Sequence, residues 1–356
     1  VESQAVSRSH PGGPARGLGP ARPRHLKMDP APAAQLAPLL FLAPMAGVTN
    51  TVFRRLCKNL GADVLTTEFV SAEGILHRNE RTRRYLEFQP DERPVGVQLF
   101  GANPERLAEA VKAVIDWVGP DFIDLNFGCP VNKVVARNGG SSLLRDCPLL
   151  KKVATAVVAA AGSVPVTAKI RIGWDSKSIN ALETARILEG EGISRLAVHG
   201  RTKEQGYTGQ ADWTVIASVA AAVRIPVIGN GDIDSATTAL ARWRESGVAG
   251  LMIGRAAMNH PWIFREIRMA LDGGNAAPVV GLPEKWAFII HHAELEMAWW
   301  DGKEDLAMRS MRSRFMAYTR GLPGGARLRE KLQHVDSLAR LREIAEEHAS
   351  AHNECG

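Results

Sequence analysis

The chain has 356 residues, a formal net charge of +6 at pH 7 and a hydrophobic fraction of 45%. This length is enough to bury a large core and exceeds what a minimal single domain needs. The sequence has no run of about eighteen apolar residues and no signal-peptide core, so we expect neither membrane insertion nor secretion. Composition favours a soluble, cytoplasmic protein with a basic bias.

The cysteines form no CxxC pair and no Cys/His cluster with metal-ligand spacing. They are Cys57, Cys129, Cys147 and Cys355. We therefore expect a reducing compartment, no disulfide framework and no metal. His291 and His292 are adjacent, and adjacent side chains on a helix point in different directions. We expect both on a helix surface rather than at a zinc site.

Residues 1–35 are rich in Pro, Gly, Ala and Arg without periodicity, which is typical of a disordered extension or a cloning remnant. Eight short apolar runs follow, each ending in polar or glycine-rich residues ahead of a helix-like segment. The runs are 41–47, 64–69, 94–101, 121–130, 165–171, 195–201, 226–232 and 249–255. Segment 103–118 is a typical intervening helix, in which Asn103 can cap and Pro104 fits the first turn. Its apolar residues Leu107, Ala110, Val111 and Val114 share one face.

Eight strand–helix units in succession predict a (β/α)8 barrel over residues 36–272. A doubly wound open sheet shows the same alternation and remains the alternative. A linker rich in Gly, Asn, Ala and Pro follows at 273–282, and the pattern from 283 to 350 is entirely helical. The predicted fold class is an α/β TIM barrel followed by a smaller all-helical C-terminal domain.

In such a barrel, the carboxyl ends of all strands surround one mouth, where active sites are built. The residues at the ends of the apolar runs would therefore line a single pocket. They are Met45, Gln98, Asn126, Cys129, Lys169, Arg171, His199, Asn230 and Arg255.

The run DFIDLNFGCP at 121–130 is the most informative strand end. Ile123 and Leu125 fit a strand that is buried on both faces, and Asn126 and Cys129 follow at its polar tip. Taken alone, the Asn could satisfy turn backbone and the Cys could be an inert small apolar residue. The recurrence of polar strand ends favours a chemical role.

The run PVTAKIR at 165–171 places two cations in one strand. Strand interiors rarely accept two cations unless both face an anion, so Lys169 and Arg171 indicate an anionic ligand. The alternative is a Lys with a buried stem and a solvated head. His199 could likewise be an ordinary hydrogen-bonded barrel histidine.

The predicted helical domain is cationic. Between 303 and 342 it has ten Lys and Arg against four Asp and Glu, with Phe315 and Tyr318 among the arginines. The sequence GLPGG at 321–325 interrupts the helical pattern. Cationic helices of this kind bind polyanions such as nucleic acids, although a charge-rich helix is often only a solvated face.

Together these motifs resemble the tRNA-dihydrouridine synthases over about 40–345. The resemblance is to the bacterial B-type branch, and the tract RTKEQGY at 201–207 is similar to the C-type branch. The motifs are APMAGVTNTVFRRLC at 43–57, VQLFG at 97–101, DLNFGCPVNKV at 124–134, KIRIGW at 169–174, VHGRTKEQGYTGQADW at 198–213, PVIGNGDI at 226–233 and LMIGRAAMNHPWIFREI at 251–267.

This resemblance implies an FMN-dependent barrel with NADPH as a transient reductant and tRNA as substrate. Cofactor contacts are implied at Pro44, Met45, Ala46, Gln98, Lys169, His199, Asn230, Gly231, Asp232, Gly254 and Arg255. Substrate contacts are expected at Asn126, Arg171, Arg309, Arg312, Arg314 and Arg320. The turns GNGD and IGR, after the seventh and eighth strands, occupy the usual phosphate position of this fold.

The resemblance also implies the reaction, which is reduction of a D-loop uridine to 5,6-dihydrouridine. Hydride passes from flavin N5 to C6, and Cys129 is expected to supply the proton to C5. An ordinary thiol with a pKa of about 8.5 is protonated at neutral pH and can serve as a general acid. The stacked base must also be extruded from the tRNA. The loop 131–142 and the helical tail are the predicted RNA contacts.

Two other functions stay open at this point. One is an FMN barrel that reduces a small molecule, as a dihydroorotate dehydrogenase does, for which the cationic tail has no use. The other is a non-catalytic tRNA-binding chaperone, and the intact Cys129, Lys169 and His199 argue against it. We expect a monomer that binds tRNA and has no membrane contact.

Overall fold

The computed structural model describes residues 37–77, 80–129, 139–274 and 277–353. The predicted N-terminal extension, Cys355 and residues 131–138 of the predicted RNA loop lie outside these ranges. One sheet of parallel strands forms the centre of the described chain. Its strands are β1 Leu39–Leu42, β2 Leu65–Thr66, β3 Val70–Ser71, β4 Val95–Phe100, β5 Phe122–Phe127, β6 Val166–Arg171, β7 Arg195–His199, β8 Val227–Asn230 and β9 Gly250–Ile253.

The sheet closes into a barrel. Its order is β1-β9-β8-β7-β6-β5-β4-β2, and β3 also pairs with β4. The Leu42 N–H donates to the Val64 carbonyl over 3.1 Å, and the Val64 N–H donates to the Leu40 carbonyl over 3.2 Å, so the ends of this order meet. The predicted barrel is confirmed and the open-sheet alternative is wrong. The second predicted run, 64–69, contains only the short strand β2, and β3 begins just beyond it at Val70.

Side-chain alternation along the strands determines what reaches the barrel interior. In β6, Thr167, Lys169 and Arg171 share the inner face, and the alternate residues belong to the outer core beneath the helices. The end of the interior away from the mouth is apolar. There the Arg195 guanidinium lies 4.7 Å from the Phe122 ring centroid and 5.0 Å from that of Phe41. The polar inner residues therefore collect toward the carboxyl ends of the strands.

Helices cover the outside of the barrel. They are α1 Thr51–Asn59, α2 Ala72–Leu76, α3 Glu80–Leu86, α4 Pro104–Val118, α5 Cys147–Ala161, α6 Ala181–Gly190, α7 Trp213–Ala222, α8 Ala236–Ser246, α9 Arg255–Asn259 and α10 Ile263–Leu271, with 3₁₀ turns at Pro90–Glu92 and Gly140–Arg145. The prediction for 103–118 is confirmed in detail. The Asn103 side chain caps α4 by accepting the Arg106 N–H over 2.8 Å, and the predicted apolar face is buried.

Four more helices follow the barrel, in agreement with the predicted fold class. They are α11 Leu282–Trp299, α12 Glu304–Tyr318, α13 Gly325–Gln333 and α14 Leu338–Asn353. The predicted break at 321–325 falls between α12 and α13. Trp286, Ile289 and Phe315 belong to the same buried cluster as Phe53 of α1, so one core continues from the barrel into these helices. Among the helices in the described ranges, none is long and apolar enough to span a membrane.

The surface position predicted for His292 is wrong. This side chain is 0% exposed, its ring stacks on Phe53 at 6.0 Å, and its Nδ1 lies 3.0 Å from the Tyr318 hydroxyl. Its neighbour His291 has a side chain that is 55% exposed, as predicted. Adjacent helix positions do point in different directions, but one of these two faces the barrel and not solvent.

A close approach between β4 and β5 gives a test of the packing. A Cβ on Gly96 would lie 2.0 Å from Cε2 of Phe122. We expect Gly96→Ala to lower the free energy of unfolding by about 1–3 kcal/mol, because the ring cannot shift easily in a packed interior. Gly190, in the last turn of α6, has nothing within 4 Å of the same position, so Gly190→Ala is the matched control. Urea unfolding measures both, and equal stabilities of the two variants would contradict this packing.

Candidate active site at the barrel mouth

The structure brings the predicted strand-end residues together. In register, Asn126 pairs with Lys169, Arg171 with His199, and His199 with Asn230. These side chains end four consecutive strands, β5 to β8. Asn126 is 7% exposed, His199 7% and Asn230 8%, so the cluster is largely shielded from water.

A chain of hydrogen bonds connects the barrel interior to the turn that carries Cys129. Gln98 Nε2 donates to Asp124 over 2.6 Å, and Asn126 Nδ2 donates to Gln98 Oε1 over 2.8 Å. Asn126 Oδ1 then accepts the Cys129 N–H over 2.8 Å. Each amide thereby has a fixed orientation, and the backbone of Cys129 is tied to the end of β5.

Asp124 begins this chain and was missed by the sequence analysis. Burial raises the pKa of its carboxyl, and the hydrogen bonds from Thr167 and Gln98 oppose that rise. The Thr167 hydroxyl donates to Asp124 over 2.5 Å. The missed signal is the alternation of the strand, because Asp124 lies two residues before Asn126 and on the same face.

Lys169 lies among these polar groups and donates from Nζ to Asn230 Oδ1 over 3.1 Å. Asn230 Nδ2 donates in turn to the Met252 carbonyl over 2.7 Å, which orients its amide. Burial, together with the neighbouring Arg171, lowers the pKa of Lys169 to about 8, and Asp124 partly opposes this shift. The ammonium group is thus desolvated, and with a pKa of about 8 it begins to lose its proton just above neutral pH.

His199 lies at the end of β7. Burial lowers the pKa of His199, and the nearby cations Lys169 and Arg171 act in the same direction. The imidazole is therefore neutral at neutral pH, with one nitrogen that donates and one that accepts.

Arg171 is held by backbone at the mouth. It is 2% exposed, and its guanidinium donates to the carbonyls of Gly128 over 3.0 Å, Thr202 over 2.7 Å and Gly206 over 2.9 Å. These bonds link the turn after β5 to the loop after β7. The Nη2 group takes no part in these three bonds.

Arg201 is a second residue that the sequence analysis did not select. It is 2% exposed and donates from Nη2 to both carboxylate oxygens of Asp232, over 2.8 and 2.7 Å. Arg255 donates to the same carboxylate over 3.1 Å. Arg201 Nη1 is buried and has no hydrogen-bond partner among the described residues. The signal in the sequence is its position two residues after His199.

The mouth fits the cofactor that the resemblance implies. A buried guanidinium N–H without a partner favours an anionic group such as a phosphate. Gly231 has a φ of +128°, and a Cβ there would lie 2.6 Å from Ala211 Cβ and 3.2 Å from His199 Cδ2, so only glycine fits this turn. A Cβ on Gly254 would lie 3.8 Å from the sulfur of Met45, so the loop after β1 lies beside the turn after β9.

The cofactor contacts implied by the resemblance can be placed on this geometry. Asp232 binds Arg201 and Arg255 and so orients two cations at the phosphate position. Gln98 is 0% exposed and engaged by Asp124 and Asn126. Pro44 and Met45 are half-buried and Ala46 is exposed, at the edge of the same mouth.

The arginines predicted to bind substrate in the helical region do not share one environment. Three of them are exposed, namely Arg309, Arg312 and Arg320. Arg309 forms an ion pair with Asp305 over 3.4 Å. Arg314 is 5% exposed and donates to backbone carbonyls of the barrel. Three therefore remain accessible to RNA, and the fourth is buried.

Part of the positive charge of 303–342 is neutralised by neighbouring residues in the structure. Carboxylates just outside that range pair with several of its cations. Lys331 contacts Glu347 over 2.5 Å, and Arg342 contacts Glu294 over 2.6 Å. The count of ten cations against four acids is correct for that range, but it leaves out Glu294, Glu343 and Glu347, which lie on either side of it.

A parallel α/β barrel with polar side chains gathered at the carboxyl ends of its strands is the architecture in which barrel enzymes build their active sites. A family model described as Dihydrouridine synthase (Dus) matches residues 41–354. The chain is 42% identical over 302 residues to tRNA-dihydrouridine synthase B of Pseudomonas aeruginosa, which covers 84% of this chain and 90% of the relative. It is 44% identical over 254 residues to the protein of that name from Xanthomonas axonopodis pv. citri, covering 71% and 75%. The chain belongs to the dihydrouridine synthase family.

The pKa of Lys169 predicts that FMN, the cofactor implied by the resemblance, binds less tightly at high pH. With a pKa of about 8 in the unliganded protein, Lys169 binds an anion in its protonated form. Above that pH, binding must take up a proton, so the FMN dissociation constant should rise by up to about tenfold per pH unit. Lys169→Arg keeps its charge and should give a flat profile. Fluorescence titrations with FMN from about pH 6.5 to 9.5 measure the dissociation constant. A wild-type dissociation constant that does not change with pH would contradict anion binding by protonated Lys169.

Proposed function

We propose that this enzyme reduces uridine to 5,6-dihydrouridine in tRNA, with FMN as its cofactor and NADPH as the reductant. The name of the relatives, tRNA-dihydrouridine synthase B, supports tRNA as the substrate. One observation carries the proposal. The hydrogen bond from the Cys129 N–H to Asn126 Oδ1 ties the thiol-bearing turn to the strand ends where Lys169, Arg171 and His199 gather.

FMN, when bound and reduced, supplies the hydride for C6 of the uracil ring. The chain provides the proton for C5 from Cys129, which is 6% exposed. Lys169 and Arg171 interact electrostatically with the Cys129 sulfur, so they stabilise the thiolate that remains after proton transfer. The two cations thus favour proton transfer from the thiol without a separate acid.

Asn126 and Arg171 position the base in this proposal. Asn126 uses one Nδ2 hydrogen on Gln98 and has a second hydrogen for a uracil oxygen. Arg171 has its Nε and Nη1 groups on backbone carbonyls, and Nη2 faces no such acceptor. Both side chains are fixed before the base arrives, so little ordering is required at binding.

The exposed arginines of the helical region are the proposed contacts to the tRNA backbone. Arg312 and Arg320 have no salt bridge to a carboxylate in the described chain, so their charge is available for phosphates. The helical region lies directly after the barrel and shares its core. A tRNA held there would present its nucleotides to a mouth that is fixed relative to the binding surface.

Replacement of Cys129 tests the role of the thiol. We expect Cys129→Ala to keep NADPH-driven flavin reduction and to lower dihydrouridine formation by about 10²- to 10⁴-fold, the usual range for loss of a general acid. Cys147, partly buried at the start of α5, gives the control Cys147→Ala. Stopped-flow absorbance and nucleoside mass spectrometry measure the two half-reactions. Unchanged dihydrouridine formation would remove Cys129 from the reaction.

The function itself is tested on cellular tRNA. We expect dihydrouridine to be lost from defined D-loop positions when the gene is deleted, and restored by the wild-type gene but not by Cys129→Ala. Mapping of dihydrouridine along purified tRNAs measures this. Identical maps with and without the gene would contradict the proposed reduction of tRNA. The alternative would then be a small-molecule substrate that binds at the same barrel mouth.

A further inference from the structure

The loop between β1 and α1 carries the implied cofactor contacts Pro44, Met45 and Ala46. Within it, the N–H groups of Val48 and Thr49 both donate to the Met45 carbonyl over 3.0 Å, which closes a tight turn. The Thr49 hydroxyl also accepts the Met45 N–H over 3.0 Å. These local bonds define the shape of the turn, but they do not fix its position relative to the mouth.

Two buried, oppositely charged side chains fix that position. Glu68, after β2, accepts the Gly47 N–H over 2.6 Å. Arg314 of α12 donates from Nη2 to the carbonyls of Gly47, over 3.5 Å, and Val48. Glu68 is 6% exposed and Arg314 is 5% exposed, so water competes little for these bonds. Hydrogen bonds to charged groups are stronger than neutral ones.

The Arg314 guanidinium is itself held from a second direction. It lies 4.7 Å from the ring centroid of Phe53 in α1, and that ring also stacks on His292 of α11. This contact orients the plane of the guanidinium toward the loop. A lysine at this position would keep the charge but lose the planar fork and the stacking.

A second polar contact lies beside the first. Asn50, at the end of the loop, donates from Nδ2 to Glu296 of α11, and Ser310 of α12 donates to the other Glu296 oxygen over 3.1 Å. Two helices of the C-terminal region therefore reach the same loop. The turn of 45–49 is held between the barrel on one side and these helices on the other.

We propose that Arg314 is a positioning residue for the cofactor loop and takes no part in RNA binding. The proposal rests on the proposed function, because that function assigns Pro44, Met45 and Ala46 to the flavin. Arg312 lies two residues away on the same helix, is exposed, and faces a different direction. One side of helix α12 thus holds the cofactor loop through Arg314, and another side presents Arg312 to RNA.

The experiment compares Arg314→Met and Arg314→Lys with Arg312→Met in the full chain. We expect Arg314→Met to weaken FMN binding by about tenfold or more and to speed amide hydrogen exchange at 45–49 in the flavin-free protein. Its tRNA affinity and the salt dependence of that affinity should match wild type. Arg312→Met should weaken tRNA binding and leave FMN affinity and exchange at 45–49 unchanged. Arg314→Lys should have an FMN affinity and an exchange rate between those of wild type and Arg314→Met.

Lower thermal stability of Arg314→Met, with FMN affinity and loop exchange unchanged, would overturn the proposal, because Arg314 would then only attach the helix. If that variant does not fold, Glu68→Gln removes the charge on the other side of the same turn and is scored by the same two measurements. Wild-type protein that binds no FMN would contradict the proposed function. Loop exchange in the flavin-free variants would still decide whether Arg314 holds the turn.

Discussion

A carboxylate buried inside the barrel determines the geometry of the mouth. Asp124 lies between two buried cations, Arg195 on the apolar side and Lys169 on the mouth side, and it opposes the lowering of both their pKa values by burial. Its hydrogen bond to Gln98 continues through Asn126 to the backbone of Cys129. A buried charge is stable only with such partners, so the interior network and the position of the thiol depend on each other.

The strands and the residues at their ends were predictable because both follow from local patterns. Apolar runs mark the strands, and alternation places Lys169 and Arg171 on one face of β6. Asp124 follows the same alternation and was missed because Asn126 and Cys129 come after it in the same run. Arg201 is the last residue of its run, and it was missed because His199 was selected there. His292 and Arg314 are different. Their environment is created by α1 and by the loop before it, more than two hundred residues away in sequence, and helical periodicity does not identify a distant partner.

The helical region is part of the barrel's structure as well as an extension of it. Phe53 of α1 and Phe315 of α12 are in one core, and Arg314 bonds to the backbone of the β1–α1 loop. Removing the whole region would therefore expose apolar surface and release that loop. Loss of activity after such a deletion would be expected for an RNA substrate and for a small molecule alike, and only point substitutions at the surface separate the two.

Closure of the barrel between β1 and the segment before β2 has a mechanical consequence. The ring is joined there by a single bridge at Phe41 and Val64, whereas the other neighbouring strands form continuous ladders. Three backbone hydrogen bonds cross this seam, from Leu42 to Val64, from Val64 to Leu40 and from Asp63 to Leu40. The β1–α1 loop follows this seam, so a transient opening of the seam would also displace the loop that Arg314 holds. The C-terminal helices therefore support the ring where its two ends meet.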